Sequence, residues 1–157
     1  MRYGIVGFGC AGYQAAKEIR SLDPKGNIKV FSEHGEAPYN PMLTTYYVSG
    51  KLKRSGAFPF GDLEKIQKEL QLEIESKTQV KHVCAKTKSI ILEDGKVETF
   101  DRILIATGAR AWAPPITGLD PKKAFFMRTM EDAGHLKAQI EVRCPKRAIV
   151  VGASMVG

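Results

Sequence analysis

The sequence predicts an α/β fold in which a βαβ unit opens a parallel sheet and an antiparallel β-meander is inserted. Three observations predict it. A short apolar run over residues 1–7 ends in glycines and is followed by a stretch with helical spacing. A second strand pattern then ends at Glu33. Short β-rich runs fill residues 72–100, and the last two flank Asp94-Gly95, a strong hairpin signal.

The first elements form the βαβ unit. Residues 1–7 have the composition of a buried parallel strand. Small and apolar side chains recur at helical spacing over residues 11–22, and the Asp-Pro-Lys-Gly sequence at 23–26 ends that helix. Residues 27–33 are the second strand. Because crossovers between parallel strands are right-handed, the two strands should lie side by side and parallel.

The middle of the chain predicts a helix and then the meander. Residues 34–61 lack clean periodicity apart from a short helix before Gly50. The next helix is predicted over residues 61–70, with Asp62 as its N-cap. Four β-rich runs, beginning with residues 72–76, predict the antiparallel meander. Residues 102–106 are an apolar strand that returns to the parallel sheet.

The last third contains a linker, a helix and a strand. Pro114, Pro115 and Gly118 mark the linker. A helix is predicted over residues 129–142 and a strand over residues 148–151. That strand leads into a second glycine turn, which ends at Gly157.

Composition excludes several classes of protein. The 157 residues include 24 Lys and Arg against 17 Asp and Glu, a formal charge of +7. The basic residues are spread along the chain and interleaved with acids, so we do not expect nucleic-acid binding, and the excess fits an anionic cofactor as well. No apolar run approaches the roughly 20 residues that span a bilayer, and the N-terminus lacks a signal-peptide pattern. A cytoplasmic protein without membrane contact is expected.

The cysteines do not suggest a metal or disulfide site. Cys10, Cys84 and Cys144 are odd in number, far apart, and without a second Cys or a His at ligand spacing. We therefore predict no metal site.

The first glycine turn is a dinucleotide fingerprint. Gly7-Phe8-Gly9-Cys10-Ala11-Gly12 is G-x-G-x-x-G, a weak motif alone, but it follows a predicted strand and opens a predicted helix. Gly7 permits the tight turn, Gly9 lets the backbone approach a pyrophosphate, and Gly12 allows the helix to pack on the strand. Helix amides would face the phosphates. The alternative is an ordinary glycine-tight turn.

Glu33 completes this fingerprint at the end of the second strand. Its carboxylate can accept hydrogen bonds from the hydroxyls of an adenosine ribose and would repel a 2′-phosphate, which favours FAD or NAD over NADP. A solvated glutamate is the alternative. His34 is a candidate contact for the adenosine end of the cofactor, and a solvated loop histidine is its alternative.

These motifs together carry a family resemblance. The chain resembles the pyridine nucleotide-disulfide oxidoreductase superfamily of flavoproteins over essentially its entire length. The features that carry the resemblance, in family order, are the fingerprint, the acid that ends the second strand, the meander, the RILIATGAR segment, the APPITG linker and the second glycine signature. The resemblance implies a Rossmann-like FAD-binding domain. It also implies that Ala106, Thr107 and Gly108 pass close to FAD and that the backbone of Val80 meets the adenine.

The second signature would hold NAD(P)H by the same resemblance. It consists of Gly152, Ser154 and Gly157, with serine in place of the central glycine. We therefore predict residues 1–113 as the N-terminal part of an FAD-binding domain, 114–145 as linker and helix, and 146–157 as the first strand and glycine turn of an NAD(P)-binding domain. That second domain is expected to be incomplete, because the helix that should follow the turn is missing.

Residues 39–50 resemble the segment that carries a single redox cysteine in coenzyme A disulfide reductases and NADH oxidases. Met42 stands where that cysteine would be. A thioether forms neither a thiolate nor a mixed disulfide, so disulfide reduction is not expected. The chemistry that remains is hydride transfer from NAD(P)H through FAD to an unknown acceptor. Specific catalytic residues are not identified by the sequence.

Two other functions stay open at this point. One is an inactive dinucleotide-binding module or subunit that holds FAD or NAD, as a homodimer or with a partner subunit. The other is a NAD-binding domain without flavin, because the first fingerprint does not distinguish the two dinucleotides.

Overall fold

The larger of the two sheets in the described residues is parallel and has four strands. The computed structural model describes residues 1–120 and 123–152. The strand order is β3-β2-β1-β7, where β1 is Arg2–Val6, β2 Asn27–Ser32, β3 Leu72–Ser76 and β7 Arg102–Ile105. All three pairings are parallel, and Val6 lies opposite both Phe31 and Ile105. The carboxyl ends of β1, β2 and β7 therefore meet at one edge.

The helices agree with their predicted places. They are α1 Cys10–Leu22, α2 Thr44–Val48, α3 Leu63–Leu70 and α4 Met130–Arg143, with a 3-10 turn at Pro41–Leu43 before α2 and another at Arg54–Ala57. Asp62 caps α3 by accepting from the Lys65 amide at 2.8 Å, as predicted. Thr129 caps α4, and the Asp132 carboxylate accepts from the Thr129 amide in return. None of the helices in the described ranges is long and apolar enough to cross a membrane.

The meander contains three strands rather than four. Its strands are β4 Val80–Cys84, β5 Ser89–Leu92 and β6 Val97–Thr99, paired antiparallel, and Gly95 has a φ of +87° in the predicted hairpin turn. The prediction was wrong for Leu72–Ser76, which pairs parallel with β2. The reason is that these residues directly follow α3, and a helical crossover returns the chain to the parallel sheet.

The parallel sheet has a separate apolar core on each face. One face packs against α1 and α3 through Ile5, Ile28 and Val30, all at most 1% exposed. The other face packs Val6 and Phe31 against the meander, whose contributions are Ile90, Leu92 and Phe100. Because side chains alternate along a strand, a single apolar run such as β2 supplies both cores.

The strand predicted over residues 148–151 is wrong. Residues 147–152 have no strand assignment, and Ile149, Val150 and Val151 are 93%, 69% and 66% exposed. A strand is formed by hydrogen bonds to a neighbour, and the described residues supply none here.

The chain divides into two compact units. The nucleotide unit, as we name it, is Met1–Tyr39 with Phe58–Gly108, and the second unit is Asn40–Ala57 with Ala109–Gly157, of which the described residues end at Gly152. In the second unit α2 packs on α4, and the Arg54 guanidinium donates to the Met130 carbonyl at 3.4 Å. The domain boundaries predicted from the sequence stay a prediction.

Arg20 joins the ends of two helices in the nucleotide unit. Its guanidinium lies at the carboxyl end of α1, and within the described residues all its hydrogen bonds go to backbone carbonyls, at 2.8–3.3 Å. Two of them, on Leu70 and Gln71, belong to the end of α3. The guanidinium is planar and has five N–H donors, so it can bind five carbonyls at once. The ammonium of a lysine has only three donors and cannot do this.

A partly buried ionic cluster links the parallel sheet to the meander. Lys29 of β2, 8% exposed, contacts Glu75 of β3 at 2.6 Å and Glu98 of β6 at 2.8 Å, and Lys96 contacts both carboxylates. Burial alone would lower the pKa of Lys29, but its hydrogen bonds to the two carboxylates raise it. The hydrogen bond from Lys29 holds the pKa of Glu75 below its usual range. Burial opposes the same shift at Glu98, yet the two lysines lower that pKa as well.

We expect the ionic cluster to make the free energy of unfolding depend on pH in the acidic range. A carboxylate with a lowered pKa stabilises the fold above its unfolded pKa, about 4.3 for Glu, and this contribution is lost as the pH falls through the folded value. The free energy of unfolding should therefore fall between pH 6 and pH 3, and it should fall less in Glu75→Gln/Glu98→Gln. The control Glu18→Gln/Glu93→Gln removes two exposed carboxylates and should keep the parent slope. Equal slopes for the parent and the cluster variant would contradict the assignment.

Gly4 should be required for the meander to approach β1. A Cβ on Gly4 would lie 2.9 Å from the Phe100 ring and 3.0 Å from Ile90 Cδ1, both buried. We expect Gly4→Val to lower the free energy of unfolding by about 1–3 kcal/mol, the usual cost of overpacking. In the control Gly9→Val the new Cβ meets nothing within 4 Å, so the loss should stay below about 1 kcal/mol. Urea denaturation measures both, and equal losses would contradict this packing.

Candidate dinucleotide site

The turn after β1 is closed by backbone contacts that require glycine. Gly7 has a φ of +97°, and its amide donates to the Phe31 carbonyl at 2.8 Å. A Cβ on Gly7 would overlap the carbonyl of Ala106. Gly7 is therefore required both by the turn and by the neighbouring chain after β7.

Gly12 holds the first turn of α1 against the same loop. It is buried, and a Cβ there would overlap the carbonyl oxygen of Gly7. The helix can approach β1 this closely only without that side chain. Ala16, one turn later and fully buried, continues the contact.

Gly9 leaves open space at the start of α1. It is the N-cap, in an extended conformation, and no side chain caps the helix. The first turn contains no acidic residue, and a Cβ on Gly9 would meet nothing within 4 Å. The first amides of a helix lack intrahelical partners and carry partial positive charge. These residues therefore fit an anionic pyrophosphate, with room for its close approach.

The other side chains of the fingerprint have different surroundings. Phe8 is 5% exposed and packs edge-on against Tyr13, so only its backbone belongs to the turn surface. Cys10 and Ala11 are exposed. The Cys10 thiol donates to the Tyr39 carbonyl at 3.4 Å.

Glu33 and His34 follow the carboxyl end of β2, and both are exposed. The Ser32 hydroxyl donates to the His34 carbonyl at 2.8 Å, which fixes the backbone of this turn. Since β1 and β2 are parallel neighbours, Glu33 leaves the sheet at the same edge as Gly7. This is the place that recognition of an adenosine ribose requires.

Val80 lies near the end of β2 because the residues just before it are hydrogen-bonded to Ser32. The Thr78 amide donates to the Ser32 carbonyl at 2.9 Å, two residues before Val80 opens β4. The Val80 side chain is half-buried and packs against the core between sheet and meander. The Val80 side chain thus contributes to the core, and only the Val80 backbone is available to contact a ligand.

The Ala106-Thr107-Gly108 turn lies against the fingerprint. The Ala106 amide donates to the Val6 carbonyl at 2.7 Å, and Thr107 Cα would lie 3.0 Å from a Cβ on Gly7. Thr107 and Gly108 are exposed, and Gly108 has a φ of +69°. The structure therefore brings this turn and the fingerprint together, although they are about 100 residues apart in sequence.

The second glycine signature is described only at its first residue. Gly152 is exposed with a φ of +107°, as a glycine turn requires. Ser154 and Gly157 lie outside the described residues, so the NAD(P)H site they would form stays a prediction.

Sequence reasoning did not single out Lys77, which lies near the candidate ribose site. A Cβ on Gly35, two residues after Glu33, would lie 3.2 Å from Lys77 Cε. The Lys77 stem thus crosses the loop that follows Glu33. Lys77 lies near Gly35 because it belongs to the turn that follows β3. No local motif in the sequence predicts the contact between these two residues.

The structure places no metal cluster among the residues it describes. No group of three or more His, Cys, Asp or Glu side chains within 1–120 and 123–152 is arranged to hold a metal ion. Cys10, Cys84 and Cys144 are free thiols. Hydrogen bonds from Thr87 lower the pKa of the Cys84 thiol, but Cys84 lies in the meander and not at the glycine turn.

Comparison with known families decides the classification. The model of the pyridine nucleotide-disulphide oxidoreductase family matches residues 1–157. The chain belongs to this family. Its membership supports FAD and NAD(P)H as the cofactors that the sequence predicts, and the fingerprint and the turn after β7 occur in the order that the resemblance implied.

Similar proteins include enzymes and one named subunit. The chain is 32% identical to the epsilon subunit of NADH-dependent phenylglyoxylate dehydrogenase from Aromatoleum evansii, over 99% of the chain and 36% of that protein. It is also 32% identical to an NADH oxidase from Methanocaldococcus jannaschii, over 100% and 36%. The chain spans little more than a third of the length of these relatives.

Solved structures agree on the fold. The putidaredoxin reductase in a covalent complex with putidaredoxin matches with a TM-score of 0.77 and 27% identity, over 88% of this chain and 34% of that one. The water-forming NADH oxidase from Lactobacillus brevis matches with a TM-score of 0.78 and 23% identity, over 90% and 32%. The second likeness shows the fold alone.

Gly9→Val should exclude the cofactor without unfolding the chain. Its side chain would fill the open space at the start of α1, where the fingerprint predicts that a pyrophosphate approaches the first amides. We expect the dissociation constant for FAD, measured by fluorescence quenching, to rise at least about tenfold, which corresponds to 1.4 kcal/mol. Gly134→Val is the control, because the Cβ there meets only Arg54, at 3.8 Å. Unchanged FAD affinity in Gly9→Val would refute the placement of the pyrophosphate.

Proposed function

We propose that the chain is the N-terminal part of an FAD-dependent NAD(P)H oxidoreductase that passes a hydride from NAD(P)H through FAD to an acceptor. The observation that carries the proposal is the open N-terminus of α1 at Gly9, against which the Ala106–Gly108 turn is packed through Gly7. Family membership supports the reaction class. The cytoplasm is the proposed compartment, which the three free cysteines support.

Each group of residues has a defined task in this proposal. The amides at the start of α1 bind and orient the pyrophosphate, and Glu33 accepts hydrogen bonds from the ribose hydroxyls. The backbones of Val80 and of Ala106–Gly108 line the adenine and flavin ends. FAD itself, when bound, supplies the two-electron chemistry. Gly152, Ser154 and Gly157 are assigned to NAD(P)H.

Disulfide reduction is not proposed. Met42 lies in the 3-10 turn before α2 and is 69% exposed, with its amide donating to the Asn40 side chain at 3.0 Å. A thioether at this place can accept no electrons through a thiolate or a mixed disulfide. The acceptor is therefore proposed to lie outside the chain, and we propose that the protein works as a homodimer or with a partner subunit.

Two measurements separate this function from an inactive binding module. The purified chain should take up FAD and show a flavin absorbance band, and a longer protein that contains the complete NAD(P)H domain should lose that band on addition of NADH. Flavin that stays oxidised in the longer protein would favour the binding module. A chain that takes up no FAD, but binds NAD, would contradict the flavin assignment.

A further inference from the structure

The turn that carries Glu33 is held both by its own strand and by the chain that follows β3. The Ser32 hydroxyl donates to the His34 carbonyl at 2.8 Å, and the Ser32 carbonyl accepts from the Thr78 amide at 2.9 Å. Ser32 is paired in register with Ser76, the last residue of β3. The residues on either side of Glu33 therefore have fixed backbone contacts, although Glu33 itself is exposed.

The side chain of Lys77 covers the next residue of this turn, Gly35. A Cβ on Gly35 would lie 3.2 Å from Cε and 3.6 Å from Cγ of Lys77, so the methylene stem of the lysine occupies the space beside the glycine. Gly35 is exposed and has no side chain of its own, and glycine has more backbone freedom than any other residue. The Lys77 stem is thus a third contact that holds the turn.

The backbone of Lys77 has a conformation that lysine rarely adopts. Its φ is +56°, in the left-handed region. Among the other non-glycine residues with positive φ in the described ranges, Gln71 and Cys144 end helices, where this conformation is common, and Lys88 lies in the turn before β5. A strained residue persists only where its surroundings determine it. At Lys77 these surroundings are the end of β3 and the hydrogen bond that follows it, beside the turn that its stem covers.

We propose that Lys77 is a positioning residue for ribose recognition, whose stem holds the Glu33–Gly35 turn where the Glu33 carboxylate can accept from the ribose hydroxyls. The inference rests on the proposed function, because the ribose belongs to the adenosine half of FAD. An exposed acid on an unfixed turn would have to be ordered when the ligand binds, and the entropy lost in that ordering weakens binding. A turn that is ordered beforehand avoids this loss.

The ammonium of Lys77 adds no excess charge to the nucleotide unit. This unit contains 13 Lys and Arg and 13 Asp and Glu, whereas the second unit contains 11 and 4, so the whole excess of +7 belongs to the second unit. General attraction of an anionic ligand by the unit therefore does not explain a lysine at this position, whereas the contact of its stem with Gly35 does. The two roles make opposite predictions for Lys77→Met, which keeps an unbranched stem and removes the charge.

The test compares ADP with 2′-deoxy-ADP by calorimetry on the whole chain. The parent should bind 2′-deoxy-ADP at least about tenfold more weakly, since a hydrogen bond to a charged acceptor is lost. In Lys77→Ala the ratio of the two dissociation constants should fall below about threefold, because a carboxylate on an unfixed turn discriminates less. Lys77→Met should keep the parent ratio within about twofold. General destabilisation of the fold would weaken the binding of both ligands equally and leave the ratio unchanged.

Lys88→Ala is the matched control. Lys88 is also an exposed lysine with a positive φ, +49°, but it lies in the meander of the nucleotide unit. This variant should keep the parent ratio. All the variants retain a Cβ, so none of them relieves the backbone strain. An unchanged ratio in Lys77→Ala would overturn the proposal. An equal loss in Lys77→Met and Lys77→Ala would overturn it too, because the charge and not the stem would then be responsible.

A measurement without ligand keeps this inference distinct from the proposed function. In ¹⁵N relaxation of the free chain, the amide order parameters of residues 33–35 should fall from about 0.85 toward 0.6 in Lys77→Ala and stay at the parent values in Lys77→Met. Unchanged order parameters in Lys77→Ala would refute the positioning role even if FAD binds normally. A chain that binds neither FAD nor ADP, but loses this order in Lys77→Ala, would refute the proposed function and confirm that the stem holds the turn.

Discussion

The structure of the nucleotide unit depends on the close approach of three backbone segments at the end of β1. Gly7 turns the chain against the carbonyl of Ala106, and Gly12 packs α1 against the carbonyl of Gly7. Any side chain at either position would separate the segments. Because the helix then starts directly at the carboxyl edge of β1, its free amides face the space between the ends of the strands. The candidate anion site is thus a consequence of how the backbone packs, before any side chain is considered.

The meander depends on a similar approach on the other face of the sheet. Gly4 lets Phe100 and Ile90 lie directly on β1, and the cluster of Lys29, Glu75 and Glu98 joins the layers where the apolar contact ends. In the meander, Glu98 pairs with Ile90 and Val80 pairs with Leu92, two residues further along β5. The strand that carries Val80 is therefore held over the end of β2 by the same packing that buries Lys29.

The sequence predicts features that depend on residues close together along the chain, and it misses features that depend on residues far apart along it. The glycine turn between β1 and α1, the cap at Asp62 and the hairpin turn at Gly95 are local, and the sequence predicts each at the residue where it occurs. The partner of Leu72–Ser76 was not, because a β-rich run of five residues has the same composition in either kind of sheet. Residues 148–151 have a strand composition, but a strand also needs a neighbour. Gly4 lies inside a strand, and its contact with Phe100 is about 100 residues distant in sequence.

The distribution of charge between the two units is a further property that the order of residues along the sequence does not reveal. Along the sequence the basic residues are interleaved with acids, which argues against nucleic-acid binding and leaves the excess compatible with an anionic cofactor. In the folded chain the excess of basic residues lies in the second unit, because the chain leaves the nucleotide unit after Tyr39, returns at Phe58, and leaves again after Gly108. A neutral unit can still bind a pyrophosphate, because the amides at the start of α1 supply the positive potential without a lysine. The positive side chains of the second unit are then not required for the proposed binding of the pyrophosphate.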